Sequence, residues 1–172
     1  MKRLLTFAAA LLLGFGLLGP GTANAQTSVQ LGPRLGIPVG DLEDATSLYI
    51  GADVRIHSEN LPVVPNASFD YYFTDVDELS IFTVDLNALY EFGVDNEAFT
   101  PYAGGGLAIT RTSFDAASGG FAISSDDTEV GLNLVGGARF PLGNIEPFAQ
   151  LNATLGGDLQ RLGVTGGLLF NL

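Results

Sequence analysis

The stretch Leu162-Gly163-Val164-Thr165-Gly166-Gly167-Leu168-Leu169-Phe170-Asn171-Leu172 alternates between two faces up to its last residue. Leu162, Val164, Gly166, Leu168, Phe170 and Leu172 share one face; Gly163, Thr165, Gly167, Leu169 and Asn171 share the other. Successive side chains of an extended backbone point to opposite sides, so a period of two marks a strand, here with one apolar face. The question this stretch poses is how many partners it has upstream.

Helical periodicity is hard to find after residue 25, whereas period-two segments recur eight times, separated by Gly, Pro, Asn and Asp. Strands are expected at 28–37, 47–57, 63–73, 80–92, 99–110, 128–140, 145–155 and 160–172. Strands of soluble sheets average about 5–6 residues, whereas a tilted strand that crosses a bilayer needs about 9–11, and these have the longer measure. In the second, Leu48, Ile50, Ala52, Val54 and Ile56 oppose Tyr49, Gly51, Asp53, Arg55 and His57. In the sixth, Val130, Leu132, Leu134, Ala138 and Phe140 oppose Glu129, Gly131, Asn133, Gly137 and Arg139, with Val135 an apolar exception on the polar side. The same parity puts Arg34, Arg55, Arg139 and Arg161 opposite the apolar face, together with Asp53, Asp70, Asp85, Glu91, Glu129 and Glu146. An arginine facing hydrocarbon at mid-depth costs roughly 2–4 kcal/mol. Keeping every such group on one side predicts a closed barrel with an apolar exterior and a lumenal network of paired charges.

The chain opens with Lys2 and Arg3, an apolar run from Leu4 to Leu18, and the small-residue site Ala23-Asn24-Ala25 before Gln26. This is the pattern of a cleaved secretory signal peptide over 1–25, which leaves 26–172 as one barrel domain. The apolar run is shorter than the roughly 20 residues that span a bilayer as a helix. Past residue 25 the chain holds 19 acidic residues and five arginines, Arg34, Arg55, Arg111, Arg139 and Arg161, with no lysine and a net charge of −14. Such a charge excludes nucleic acid as an electrostatic partner. The chain has no cysteine, so a disulfide framework and a thiolate metal site are excluded as well.

Numbered from a periplasmic amino terminus, the outside connections are 38–46, 74–79, 111–127 and 156–159, and the inside ones are 58–62, 93–98 and 141–144. Outer-membrane barrels place their long loops outside, where 111–127 falls. Tyr71, Phe73 and Phe82 would form an outer aromatic girdle; Tyr90, Phe92, Phe99, Phe140 and Phe170 an inner one. Pro33, Pro101 and Pro147 lack the amide that a ladder needs. Pro101 and Pro147 fit near strand starts, while Pro33 falls inside the first strand, where closure is least secure.

With its leader, eight alternating strands, the segment Thr100-Pro101-Tyr102-Ala103-Gly104-Gly105-Gly106-Leu107 and an apolar last strand, the chain resembles the small eight-stranded outer-membrane barrels of the OmpA/OmpX/OmpW type. The resemblance covers nearly all of 26–172; the terminal residue is Leu172 where that family more often has phenylalanine. It implies an all-β, antiparallel up-and-down transmembrane barrel in the outer membrane of a diderm bacterium. It also implies recognition by the outer-membrane assembly machinery through the last strand, contact with outer-membrane lipid, and a monomer.

Little in the residues suggests chemistry. In His57-Ser58-Glu59 a continuing strand would turn Ser58 away from His57, so nucleophile and base could not meet. Asp41, Glu43 and Asp44, or Asp75, Asp77 and Glu78, could collect calcium, but no twelve-residue calcium loop is present. Gly104–Gly106 precede no Lys-Ser/Thr, so they make no phosphate loop. No cofactor and no metal site are expected. An eight-stranded barrel is about filled by its own side chains. The expected role is therefore a non-enzymatic structural or surface-interaction barrel, with the 111–127 loop and its Phe114 and Phe121 as the contact surface. A narrow channel for ions or small apolar compounds is one alternative; a soluble secreted or periplasmic lipid-binding barrel is another.

Overall fold

The computed structural model describes residues 27–39, 46–75, 78–95, 98–118, 121–156 and 160–172, excepting the side chains of 115–118 and 121–124. The proposed leader 1–25 and the loop acids Asp41, Glu43, Asp44 and Asp77 lie outside the described residues, as does the Phe121 side chain. Eight strands follow one another: β1 (Thr27–Val39), β2 (Thr46–Ser58), β3 (Val64–Thr74), β4 (Leu79–Glu91), β5 (Thr100–Ser118), β6 (Phe121–Arg139), β7 (Ile145–Leu155) and β8 (Arg161–Asn171). Each pairs antiparallel with its neighbours in sequence, and β1 pairs with β8 to close the barrel.

One register line shows how the barrel is sheared. From Gln30 the pairing runs through Arg55, Asn66, Asn87, Gly106, Asn133 and Thr154 to Arg161. It arrives one step beyond the Val39↔Leu162 pair rather than back at Gln30, a stagger of about ten residues. Strands must tilt to accommodate that stagger, which is why they are long.

Burial follows the parity read from the sequence. In β2, Tyr49, Asp53 and Arg55 are buried while Ile50 and Ala52 are exposed; in β8, Arg161, Gly163, Thr165 and Leu169 are buried while Leu162, Val164, Leu168 and Phe170 are exposed. The exterior is an apolar band that includes Leu31, Leu35, Leu86, Leu107, Leu132, Leu151 and Val164. Its edges carry the aromatic pairs Tyr71–Phe73, Phe69–Phe82, Tyr90–Phe92 and Phe99–Phe140.

The largest departure from the sequence reading is at 111–127, where residues 111–118 and 121–127 are strand and not loop. Pairing of β5 with β6 continues from Arg111↔Thr128 to Ser118↔Phe121. Thr110, Thr112, Phe121 and Ile123 have good strand propensity, and Gly119-Gly120 between the strands is a pair that a two-residue hairpin favours. Pairing of β4 with β5 stops at Leu79↔Phe114, and that of β6 with β7 at Leu132↔Leu155. The β5–β6 hairpin therefore stands beyond both neighbours as a ribbon.

Most of the prolines sit where a ladder has run out. The missing amide of Pro101 would face β4 opposite Phe92, one residue past its end, and Phe92 N–H donates to the Pro101 carbonyl at 2.9 Å. Pro147 stands likewise opposite Phe140, whose N–H reaches its carbonyl at 2.8 Å. Pro33 is different. The β1–β8 ladder is interrupted at Gly32 and Pro33, and the same register resumes at Arg34↔Gly167, so the seam holds its alignment with fewer bonds and without a bulge.

Candidate functional site

Two ends can be distinguished: the terminal end, where β1 starts and β8 stops, and the loop end, where the ribbon projects. Between them the lumen is filled in layers. Near the terminal end Val64, Leu89, Tyr102 and Val135 pack into a buried apolar cluster. Near the loop end Tyr49, Tyr72 and Ile81 form a second, with Leu79 against it. Tyr49 and Tyr72 have ring centroids 4.9 Å apart.

Between the two clusters lies a network of three arginines and three aspartates. Arg34 Nη1 meets Asp53 Oδ2 at 3.2 Å, and its Nε lies 3.0 Å from Asp70 Oδ1. Arg55 donates through Nε to Asp53 Oδ1 at 3.0 Å and through Nη2 to the hydroxyl of Tyr102 at 3.0 Å. Its guanidinium carbon lies 4.6 Å from the centroids of both the Tyr102 and the Phe148 rings. Arg161 Nη2 donates to Asp85 Oδ1 at 3.0 Å, and its Nη1 to the Tyr72 hydroxyl at 3.1 Å. All six are buried, so an unpaired member would bear the full desolvation cost of a charge; three against three leaves no net charge inside.

An amide chain follows the register line described above. Arg161 Nη2 donates to Thr154 Oγ1 at 2.9 Å, Thr154 to Asn133 Oδ1 at 3.3 Å, Asn133 to Asn87 Oδ1 at 3.0 Å, Asn87 to Asn66 Oδ1 at 3.0 Å, and Asn66 to Asp53 Oδ1 at 2.9 Å. Each side chain between the two ends both donates and accepts, so a single file of short polar residues on β7, β6, β4 and β3 ties Arg161 on β8 to Asp53 on β2. The Tyr102 hydroxyl is a separate junction, accepting from Arg55 and donating to Gln150 Oε1 at 2.9 Å. Tyr102→Phe should therefore lower unfolding stability by about 1–3 kcal/mol, because Arg55 loses a buried acceptor and Gln150 a donor. The check is a denaturant midpoint of the refolded protein.

The remaining charges named from the sequence lie outside this network. Arg139, Glu91 and Glu146 form a cluster at the terminal-end mouth: Arg139 Nε and Nη2 meet the two Glu91 oxygens at 2.8 and 2.9 Å, and Nη1 meets Glu146 Oε2 at 2.5 Å. Glu129 shares their parity but stands on the ribbon, above the last β6–β7 pair. Phe114 is exposed at the level where β4 begins, opposite Leu79. His57 Nε2 lies 3.2 Å from Glu91 Oε1, and β2 runs through Ser58, which therefore turns to the other face. A cavity of about 600 Å³ opens at this mouth beside Ser28, His57, Leu61 and Val64. Among the described residues no group of three or more His, Cys, Asp or Glu is placed to hold a metal.

The sequence reading did not assign a role to the inward apolar residues. Val135 is noted there only as an apolar exception and Leu169 only as a member of the second face of its strand; Leu89 is not singled out. They are the fill of the lumen, and the one available signal was their bulk on a face otherwise made of short polar residues.

A closed up-and-down barrel of eight antiparallel strands, apolar outside and polar within, is the architecture of small outer-membrane barrel proteins. The chain belongs to the outer membrane protein β-barrel domain family, whose model matches residues 7–167. The fold resembles the N-terminal β-barrel domain of Pseudomonas aeruginosa OprF, with 18% identity and a TM-score of 0.64 over 87% of this chain and 100% of that one. It also resembles neisserial surface protein A, NspA, with 18% identity and a TM-score of 0.61 over 87% of this chain and 100% of that one. Ail, the attachment invasion locus protein of Yersinia pestis, gives 16% identity and a TM-score of 0.60 over 85% and 97%. Ail has also been solved with the heparin analogue sucrose octasulfate, in a structure 15% identical with a TM-score of 0.57 over 87% and 100%. No curated protein sequence matches this chain.

Proposed function

We propose that the chain is exported with loss of residues 1–25, inserts in the outer membrane as a monomer through recognition of its last strand by the assembly machinery, and works there without catalysis as a surface-interaction barrel. The observation that carries this reading is the β5–β6 ribbon, which stands past β4 and β7 at the end opposite the start of β1 and the stop of β8. The apolar band between two aromatic girdles supports the membrane crossing, since lipid is the surrounding that makes such an exterior favourable. The orientation is tested by inserting a short epitope between Gly119 and Gly120. Antibody should label it on intact cells; labelling only after the outer membrane is permeabilised would refute an outward-facing ribbon.

Leu86 is exposed and lies four residues from each of Phe82 and Tyr90, at the middle of the band. Leu86→Arg should cost about 2–4 kcal/mol in lipid vesicles. A sheet facing water would tolerate it, so an unchanged unfolding midpoint would point to the soluble-barrel reading instead. Planar-bilayer recordings should show no conductance above an empty control, because two apolar clusters and a neutral ion network occupy the lumen.

A further inference from the structure

Two cavities follow one another along the β2–β3 hairpin, one in the apolar exterior and one at the terminal-end mouth. The first is a groove of about 450 Å³ in the outer face of β2 to β5. Pro65, Ala67, Ala88 and Gly105 make its floor, with Val54 and Ile56 on one side and Leu86 and Leu107 on the other. The pairs Ala67↔Leu86 and Leu86↔Leu107 set its upper row at the middle of the band. The pairs Pro65↔Ala88 and Ala88↔Gly105 set its lower row one outward position nearer the terminal end. The second cavity is the one of about 600 Å³ at the mouth. Ser58 and Val63, which line it, lie two residues beyond Ile56 and two before Pro65, which line the groove, so the apolar floor leads along both strands to a polar rim.

The charge at that rim selects a headgroup. Glu59 stands exposed at the lip, Glu91 lines the wall, and Ser28 and Ser58 add hydroxyls. No lysine or arginine is among the described residues that line it, and Arg139 behind Glu91 already spends Nε, Nη1 and Nη2 on Glu91 and Glu146. An anionic headgroup would meet carboxylates. An ammonium would meet Glu59 as a partner.

We propose that the β2–β5 face is a binding site for one phospholipid of the terminal-end leaflet, an acyl chain lying in the groove and an ethanolamine-type headgroup at the rim, its ammonium on Glu59. The groove continues the lipid-facing band, and hydrocarbon is what fills such a depression without leaving a polar group unpaired. A second copy of the chain would need roughly 1,000 Å² or more of matched surface, whereas Leu86 and Leu107 stand out beside the floor and hold a second barrel off it. The phosphodiester needs no cation of its own, because the ammonium on the same molecule keeps the headgroup neutral. Burial of the chain supplies the affinity, and the carboxylate supplies the choice among headgroups.

This inference rests on the reading that the barrel crosses a membrane, and one experiment separates the two. The full barrel is placed in nanodiscs of equal parts phosphatidylethanolamine and phosphatidylglycerol with matched chains, and native mass spectrometry counts the lipid kept on the released protein. The wild type should keep one phosphatidylethanolamine, favoured about threefold or more over phosphatidylglycerol. Ala88→Phe fills the groove and should abolish retention; Leu151→Phe, on β7 across the barrel, should not. Glu59→Gln should still keep a lipid and lose the preference for ethanolamine. Heat-modifiable gel mobility establishes that each variant is folded. Unchanged retention in Ala88→Phe would overturn the groove, and a wild-type dimer that Ala88→Phe dissolves would hand it to a second copy. Equal retention of the two lipids by the wild type would overturn the headgroup assignment. A barrel that enters nanodiscs and keeps no lipid overturns the site alone; one that fails to enter overturns the membrane reading and the site with it.

Discussion

Asp53→Ala is expected to lower the stability of the barrel by about 3–5 kcal/mol, the range for breaking a buried ion pair by deleting one partner. Asp53 accepts from Arg34 at 3.2 Å, from Arg55 at 3.0 Å and from Asn66 at 2.9 Å, and it is fully buried. Its loss leaves three interior arginines facing two aspartates, and the amide chain from Arg161 loses its final acceptor. Asp53→Asn keeps one acceptor oxygen and the side-chain shape, so it should fall between the wild type and the alanine variant. Urea unfolding in lipid vesicles, followed by heat-modifiable gel mobility, orders the three. If Asp53→Ala matched the wild type, the interior ions would not be mutually dependent in the way their geometry requires.

Gly32→Val should have an effect as large, at the opposite kind of site. A Cβ at position 32 would come within 1.6 Å of the Leu168 carbonyl oxygen, which is main chain of the partner strand and has no room to retreat. The ladder between β1 and β8 is already interrupted at Gly32 and Pro33, so the added side chain strikes the seam at its weakest place. The variant should fold slowly or remain open, migrating at the unfolded position on unheated gels. Gly136→Val is the companion control: its Cβ would meet nothing within 4 Å, so the barrel should close normally. Equal behaviour of the two variants would show that the close approach at the seam does not govern closure.

Why some of this was legible in the sequence and some was not has a physical answer. The faces of the strands were readable because the period of two is exact and because charge is so costly on the apolar side; Arg34, Arg55 and Arg161 could be placed inward without any knowledge of neighbours. Their partners could not be, since Arg161 reaches Asp85 on β4 and Arg55 reaches Gln150 on β7, and contacts across a lumen depend on stagger and register. The ribbon was misread because residues 115–127 are small, polar and glycine-containing, a composition that suits a loop; there each strand is held by its partner in the hairpin and not by a core. Inward Leu89, Val135 and Leu169 were hidden for the converse reason, because a polar lumen is what alternation teaches one to expect.

The interior network also bears on the order of events during assembly. Arg34 on β1 needs Asp53 on β2 and Asp70 on β3; Arg55 on β2 needs Tyr102 on β5 and Gln150 on β7; Arg161 on β8 needs Tyr72 on β3 and Asp85 on β4. The strands β1–β4 hold one complete set, Arg34 with Asp53 and Asp70, and no contiguous half of the strands holds all three arginines with their partners. A half-inserted sheet would expose unmatched arginines to hydrocarbon, so partially threaded states are penalised on both sides of the halfway point. Refolding into lipid should then follow a single exponential, with every strand crossing in one concerted step.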